Sequence, residues 1–222
     1  MQLFVDSAVE GWALLSSGAV DVWTIVVTSI RVSGAATAIS LLAGIPLGVL
    51  LGTRRFSGRR FMLLIANTGM GLPPVVVGLI VAMMLSRRGP FGELGLLYSQ
   101  GAMVIAQVVI ALPLITAVTA VSVSAVPRQL RLQARSLGAS RLQEAVLVVR
   151  EARMGVIAAV AAGFGSIISE VGAVMMVGGN IEGDTRVMTT AIVQYTRMGR
   201  YGPALALGLT LLAMIAVVNV AL

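Results

Sequence analysis

Between positions 178 and 190 the chain sets out Gly178, Gly179, Asn180, Thr185, Arg186, Thr189 and Thr190. They bring together the backbone N–H groups of a glycine-rich turn, an amide, three hydroxyls and one guanidinium. Donors of this kind suit a tetrahedral anion, which is held by hydrogen bonds and needs no metal ligands. A conduit must also release what it binds, and mostly neutral donors meet that need. The rival reading is a structural loop that ties the last two apolar segments together and docks a partner. Glu170, just upstream, interrupts an apolar run. An acid at membrane depth is costly, so it is paired or functional. A carboxylate would repel an anion, which makes a structural pair with Arg31 the expectation, with proton coupling by Glu170 as the alternative.

Other chemistries lack their parts. All 16 basic residues are Arg, and the chain has no Lys, His or Cys. A P-loop lysine and Schiff-base chemistry are therefore excluded, as are the usual zinc, haem and thiolate sites. No disulfide framework can form. A membrane-embedded enzyme would have only Glu170 at depth for acid/base work. Any ATP-driven activity would need ATP and magnesium held by a partner chain, and no cofactor is expected here.

The elements that must position these residues are membrane spans. Of 222 residues 58% are hydrophobic and 11% charged, well under the roughly 25% charged of a soluble domain. The chain reads as one transmembrane domain over 1–222, all-α, with five spans near 24–51, 61–85, 98–126, 154–177 and 204–222. Each is close to the ~20 apolar residues a bilayer demands. Residues 1–23 lack the basic start of a secretory signal. Phe4, Ala8, Trp12 and Leu15 suggest a short interfacial helix there, with Trp12 and Trp23 at headgroup level. Glycine and proline cluster inside spans, at 69–79 and 163–180, where broken helices line cavities or pack closely.

Arginine placement gives the orientation. The loop at 54–60 and the segment 127–153 hold ten Arg against two Glu, whereas the other side holds six Arg against seven acids. Basic loops are retained in the cytoplasm, which puts the N-terminus outside and the C-terminus inside. The near-neutral outer side exerts no strong pull on anions, so delivery by a binding protein is expected.

The segment 127–153 is the longest polar stretch. Arg128 to Leu137 can form one helix that Gly138 ends in the left-handed conformation. Ser140 can cap a second, with Gln143 completing a capping box. The plain reading is a basic juxtamembrane loop touching anionic lipid. The run Ala134-Arg135-Ser136-Leu137-Gly138-Ala139-Ser140 resembles the "EAA loop" of ABC-transporter permeases. Aligned on Gly138, the leading Glu falls on Leu132 and the trailing Pro on Glu151, both departures from the pattern. Glu170-Val171-Gly172-Ala173, Gly179-Asn180, Gly183, Thr185 and Thr189-Thr190-Ala191 resemble a run in oxyanion permeases, most closely the tungstate branch.

The resemblance implies a type I ABC importer with the MetI-like permease core, in a bacterial or archaeal inner membrane. It implies a homodimer, a pair of separate ATPase subunits, and a periplasmic or lipid-anchored oxyanion-binding protein; no nucleic acid is involved. It makes Ala134, Arg135, Leu137, Gly138, Ala139, Ser140, Arg141 and Leu142 the surface that couples to the ATPase. Leu137, Gly138, Ala139 and Leu142 would form the apolar contact, with Arg135 and Arg141 pairing to acidic rims. The cargo implied is tungstate, with molybdate or sulfate as the alternative. A secondary transporter is the more distant reading, but it would need more ionisable groups in spans and repeated halves.

Overall fold

The structure is a computed structural model that describes residues 6, 7, 9–11, 13 and 20–222, with 20 and 21 as backbone only. Phe4, Ala8, Trp12 and Leu15, on which the interfacial helix rests, lie outside the described residues. Every regular element among the described residues is helical. They are α1 (Val20–Thr53), α2 (Arg59–Met70), α3 (Pro74–Leu85), a 3₁₀ turn (Gly92–Leu94), α4 (Gln100–Ser124), α5 (Arg128–Ser136), α6 (Arg141–Glu151), α7 (Arg153–Ile168), α8 (Gly172–Gly178), α9 (Met188–Arg197) and α10 (Tyr201–Ala221).

α1, α4 and α10 are each long and apolar enough to cross a membrane. The expected spans at 61–85 and 154–177 are each two helices meeting at a break, and count as crossings only if each pair is one broken span. The first break follows from backbone chemistry. Gly71 and Leu72 N–H turn back to Thr68 and Gly69 carbonyls at 3.0 and 3.3 Å, closing α2. Pro73 forces Leu72 out of the helical region, and Pro74 at the first turn of α3 needs no donor. At the second break Glu170 Oε1 accepts from Ala173 N at 2.9 Å, satisfying a free donor of α8. No ion pair joins Glu170 to Arg31, so the expected pairing is replaced by this local cap. The carboxylate has a donor three residues away, and that needs no long side chain to reach it.

The chain sorts into two compact units. One comprises Thr37–Leu72 and Val108–Ser166. Here Gly44, Gly48 and Gly52 form a small-residue face on α1, repeating every fourth position, that lets α4 approach closely. A Cβ at Gly48 would fall 2.5 Å from Thr119 Cβ, and one at Gly52 2.2 Å from Val123 Cγ2. Below this contact Val49, Val123, Val126, Val148 and Ala152 form a buried cluster that seats α6.

The other unit comprises Met1–Ala36, Pro73–Gln107 and Ile167–Leu222. α3 lies against α8 so closely that a Cβ on Gly78 would be 2.6 Å from Ala173 Cα. Val22, Ile25 and Val26 of α1 pack with Met188, Ala191 and Leu207. Ser29 Oγ accepts from Met188 N and donates to Ile25 O, both at 2.8 Å, pinning the start of α9 to α1.

Candidate functional site

Two places gather the residues that the sequence singles out. The first is the elbow made by α5 and α6. α5 ends in the paired hydrogen bonds of a Schellman cap: Gly138 N donates to Arg135 O, and Ala139 N to Ala134 O, each at 3.0 Å. This closure needs a left-handed residue, and Gly138 supplies it at φ +84°. Two residues on, Ser140 Oγ accepts from Gln143 N at 3.3 Å while Ser140 N donates to Gln143 Oε1 at 2.7 Å, the expected capping box. Two helices are thus locked at a fixed bend by backbone and side-chain bonds that run from Ala134 to Gln143.

The elbow's tip is apolar and uncovered. Leu137 is 88% and Leu142 75% exposed, and a Cβ on Gly138 would meet nothing within 4 Å. Ala139 is half-buried and Arg141 exposed. Arg135 is placed differently from the expectation. Its guanidinium grips Glu144 in two-pronged fashion, Nε to Oε2 at 2.9 Å and Nη2 to Oε1 and Oε2 at 3.0 and 2.8 Å. Glu144 is 3% exposed, and a buried carboxylate demands a counter-charge. Arg54, following α1, adds one at 3.6 Å, and Arg131 another at 3.9 Å. Arg131 Nη1 also donates to Thr53 O at 3.2 Å. Arg135 is therefore an internal brace, and Glu144 is the residue that ties the elbow to the end of α1. Sequence reasoning passed over Glu144. The signal was there: an acid among five nearby arginines, at helical spacing between Val148 and Ser140.

The second place is the loop from Gly178 to Thr190. Gly179 and Asn180 both adopt positive φ, 71° and 53°, in the turn that leaves α8. These are residue types that tolerate the left-handed region. Thr185, 1% exposed, donates its hydroxyl to Gly178 O and accepts from Ile181 N at 2.9 Å. Thr189 Oγ1 donates to Glu170 O at 2.9 Å. Thr190 Oγ1 donates to Val187 O at 3.0 Å and accepts from Val187 N at 3.1 Å, capping α9. Asn180 Nδ2 donates to Gln194 Oε1. Arg186, 8% exposed, meets the exposed Glu182 at 3.2 Å. The expected anion donors are thus brought together; the three hydroxyls and the Asn180 amide N–H already have partners in the protein, whereas Arg186 Nε is buried with no hydrogen-bond partner. Most buried hydroxyls have a partner, and for these three each partner is a backbone group. The hydroxyl contacts are those the rival reading, a structural loop, calls for.

Comparison with known proteins decides the family. Residues 44–222 match the family described as binding-protein-dependent transport system inner membrane component. The chain belongs to this family of ABC permeases. It is 43% identical over 201 residues to a "Probable anion ABC transporter permease protein" of Haloferax volcanii, covering 88% of this chain and 87% of that one. It is 42% identical over 219 residues to "Tungstate uptake system permease protein TupB" of Peptoclostridium acidaminophilum, covering 99% and 96%. "Molybdenum transport system permease protein ModB" of Escherichia coli K12 is more distant, at 29% over 178 residues and 77% and 78% coverage. Among solved structures, one described as an amino acid ABC transporter with histidines superposes with TM-score 0.61 at 15% identity, covering 94% of this chain and 97% of the other. That likeness establishes the permease fold. The permease is accordingly a multi-pass membrane protein, and the elbow and the loop are features of an ABC transporter's membrane subunit.

Proposed function

We propose that this permease is the transmembrane subunit of an ATP-driven importer that passes a tungstate-class oxyanion from a binding protein into the cytoplasm. The cargo assignment rests on the tungstate permease relative, 42% identical over nearly the whole of both chains. The inward direction rests on membership in the binding-protein-dependent permease family, and the N-out orientation on the arginine distribution. Two copies would pair about a two-fold axis above two ATPase subunits, which hold the ATP and magnesium.

The elbow supports the coupling role. It is a rigid knob whose exposed tip is apolar and whose base is braced to α1 through Glu144. A rigid knob transmits force as a body, which suits a transporter that switches between two packed arrangements. Leu137, Gly138, Ala139 and Leu142 would sit in a groove of the ATPase, with Arg141 at its rim. The donor-rich loop scaffolds the start of α9 in this reading, and selectivity lies with the binding protein.

The test is ATP hydrolysis by the permease reconstituted in lipid with its ATPase. The binding protein is added empty or loaded with tungstate, molybdate or sulfate. Stimulation by the tungstate-loaded form alone is expected. Stimulation only by molybdate or sulfate would move the cargo to that anion. No nucleotide dependence with any partner would sink the importer reading.

A further inference from the structure

Five arginines meet at the end of α1 in excess of any internal need. Arg54, Arg55, Arg128, Arg131 and Arg135 line a polar pocket of about 340 Å³ together with Thr53, Leu132 and Glu144. Glu144 is the only acid in its wall, which leaves a surplus of four positive charges. Part of the arginine chemistry is structural: Arg135 holds Glu144, and Arg131 reaches Thr53 O. Yet Arg131 Nε is buried with no hydrogen-bond partner. Arg55 and Arg128 are exposed, and no ion pair among the described residues engages either. Guanidinium groups so crowded repel one another, and an anion with several acceptor oxygens relieves that repulsion while filling the open donors. Phosphate oxygens match the planar guanidinium fork in two-pronged geometry.

A second cavity lies beside this one. A groove of about 450 Å³ runs between α1 and α6, walled by Ile45, Pro46, Val49, Leu50, Val146 and Val149 among others, and it shares Thr53, Arg54 and Glu144 with the arginine pocket. Its wall is almost wholly apolar. A cationic pocket adjacent to an apolar groove, at the end of a membrane-length helix, suits an amphiphile: an anionic head and a hydrocarbon tail. Free phosphate or a soluble oxyanion would account for the pocket and leave the groove unexplained.

We propose that this pair of cavities binds one anionic phospholipid, its phosphate among Arg54, Arg55, Arg128 and Arg131 and an acyl chain in the groove along α1 and α6. The bound head would neutralise the surplus charge beside Glu144 and so steady the elbow against α1. The site does not depend on which cargo the permease carries.

The test is native mass spectrometry of the purified full chain, delipidated and then offered dioleoylphosphatidylglycerol and dioleoylphosphatidylcholine in equal amounts. Retention of one phosphatidylglycerol in preference to phosphatidylcholine is expected. R55Q/R128Q should weaken that retention about tenfold, because two charge-assisted contacts to phosphate are lost. R87Q/R88Q, which removes the same charge from the turn after α3, should leave it unchanged. If the double variant does not fold, Arg55→Gln alone serves, with a smaller loss in the same direction. Inorganic phosphate at fixed ionic strength is the competing arm. Equal retention of the two lipids, equal loss in R55Q/R128Q and R87Q/R88Q, or protection of the protein by inorganic phosphate with no lipid preference would each overturn the assignment. The last result would make the pocket a site for a free oxyanion.

Discussion

Removing Glu144 should loosen the elbow while leaving the spans in place. The carboxylate is buried, receives three hydrogen bonds from Arg135 at 2.8 to 3.0 Å, and faces Arg54 and Arg131 at 3.6 and 3.9 Å. A hydrogen bond to a charged group contributes about 1.5–3 kcal/mol, and breaking a fully buried pair costs about 3–5 kcal/mol. Arg135 is half exposed and Arg54 one-third exposed. Both guanidinium groups regain water when the carboxylate goes, so the lower part of the range applies, about 2 kcal/mol. That corresponds to about thirtyfold in a local opening equilibrium. Hydrogen exchange reads such openings element by element. In Glu144→Ala the amides of α6 should exchange about thirtyfold faster, and those in the middle of α4 at their original rate. Glu144→Ala and Arg135→Ala should be coupled, the double variant exchanging little faster than Glu144→Ala alone. Less than threefold acceleration, or plain additivity of the two substitutions, would refute the brace.

Three further outcomes follow from the geometry. Gly138→Val places a β-branched residue at φ +84°, a cost of about 1–2 kcal/mol from backbone strain alone. Open space around its Cβ means that Gly138→Asn should be tolerated; ATPase stimulation by the loaded binding protein should fall with Val and persist with Asn. Gly48→Val drives a side chain into Thr119 and the Thr116 carbonyl, so α1 and α4 must separate. Loss of monodisperse protein on size-exclusion chromatography in detergent is expected, and a normal profile would show that the contact yields. Thr185→Val keeps the volume but strands Gly178 O and Ile181 N, at about 1–3 kcal/mol. Thermal stability should drop while the concentration of loaded binding protein giving half-maximal ATPase stimulation stays put; a rise in that concentration with stability intact would restore Thr185 as an anion contact.

The parts legible in the sequence were those set by local rules. Apolar length gave α1, α4 and α10, because a helix in lipid must be long and uncharged whatever it packs against. Glycine after a polar helix, then Ser-x-x-Gln, gave the elbow's cap and box, since both are closed within a few residues. The break near Gly71–Pro73 was visible as a cluster of residues that interrupt helices; the one at 169–171 falls within the glycine-rich stretch 163–180, but Ser169, Glu170 and Val171 do not mark it. Contacts closed over distance were harder to read. The Gly44, Gly48, Gly52 face repeats every fourth residue, yet small residues in spans are common, and only the approach of α4 gives that repeat its meaning. Arg135 and Glu144 lie on different helices nine positions apart. The bend at Gly138 is what brings them together, and nothing in either residue type announces it.

The loop at 178–190 shows how donor chemistry and turn chemistry draw on the same residue types. Glycine, asparagine and threonine are the residues that would cradle an oxyanion, and they are also the residues that tight turns and helix caps require. Gly179 and Asn180 satisfy the second demand through positive φ, and Thr185 and Thr190 satisfy it by closing bonds to their own segment. A hydroxyl has one proton to donate. Once Thr185 has given it to Gly178 O and Thr189 to Glu170 O, those groups can only accept, and an oxyanion offers nothing to accept from. For these hydroxyls to meet the cargo, the loop would have to exchange those internal bonds for bonds to the anion. The same likeness of residue types can therefore mark relatedness to oxyanion permeases without marking the atoms that touch the ion. The resemblance at these positions is then explained by what the turn and the helix cap require, with no contact to the ion needed.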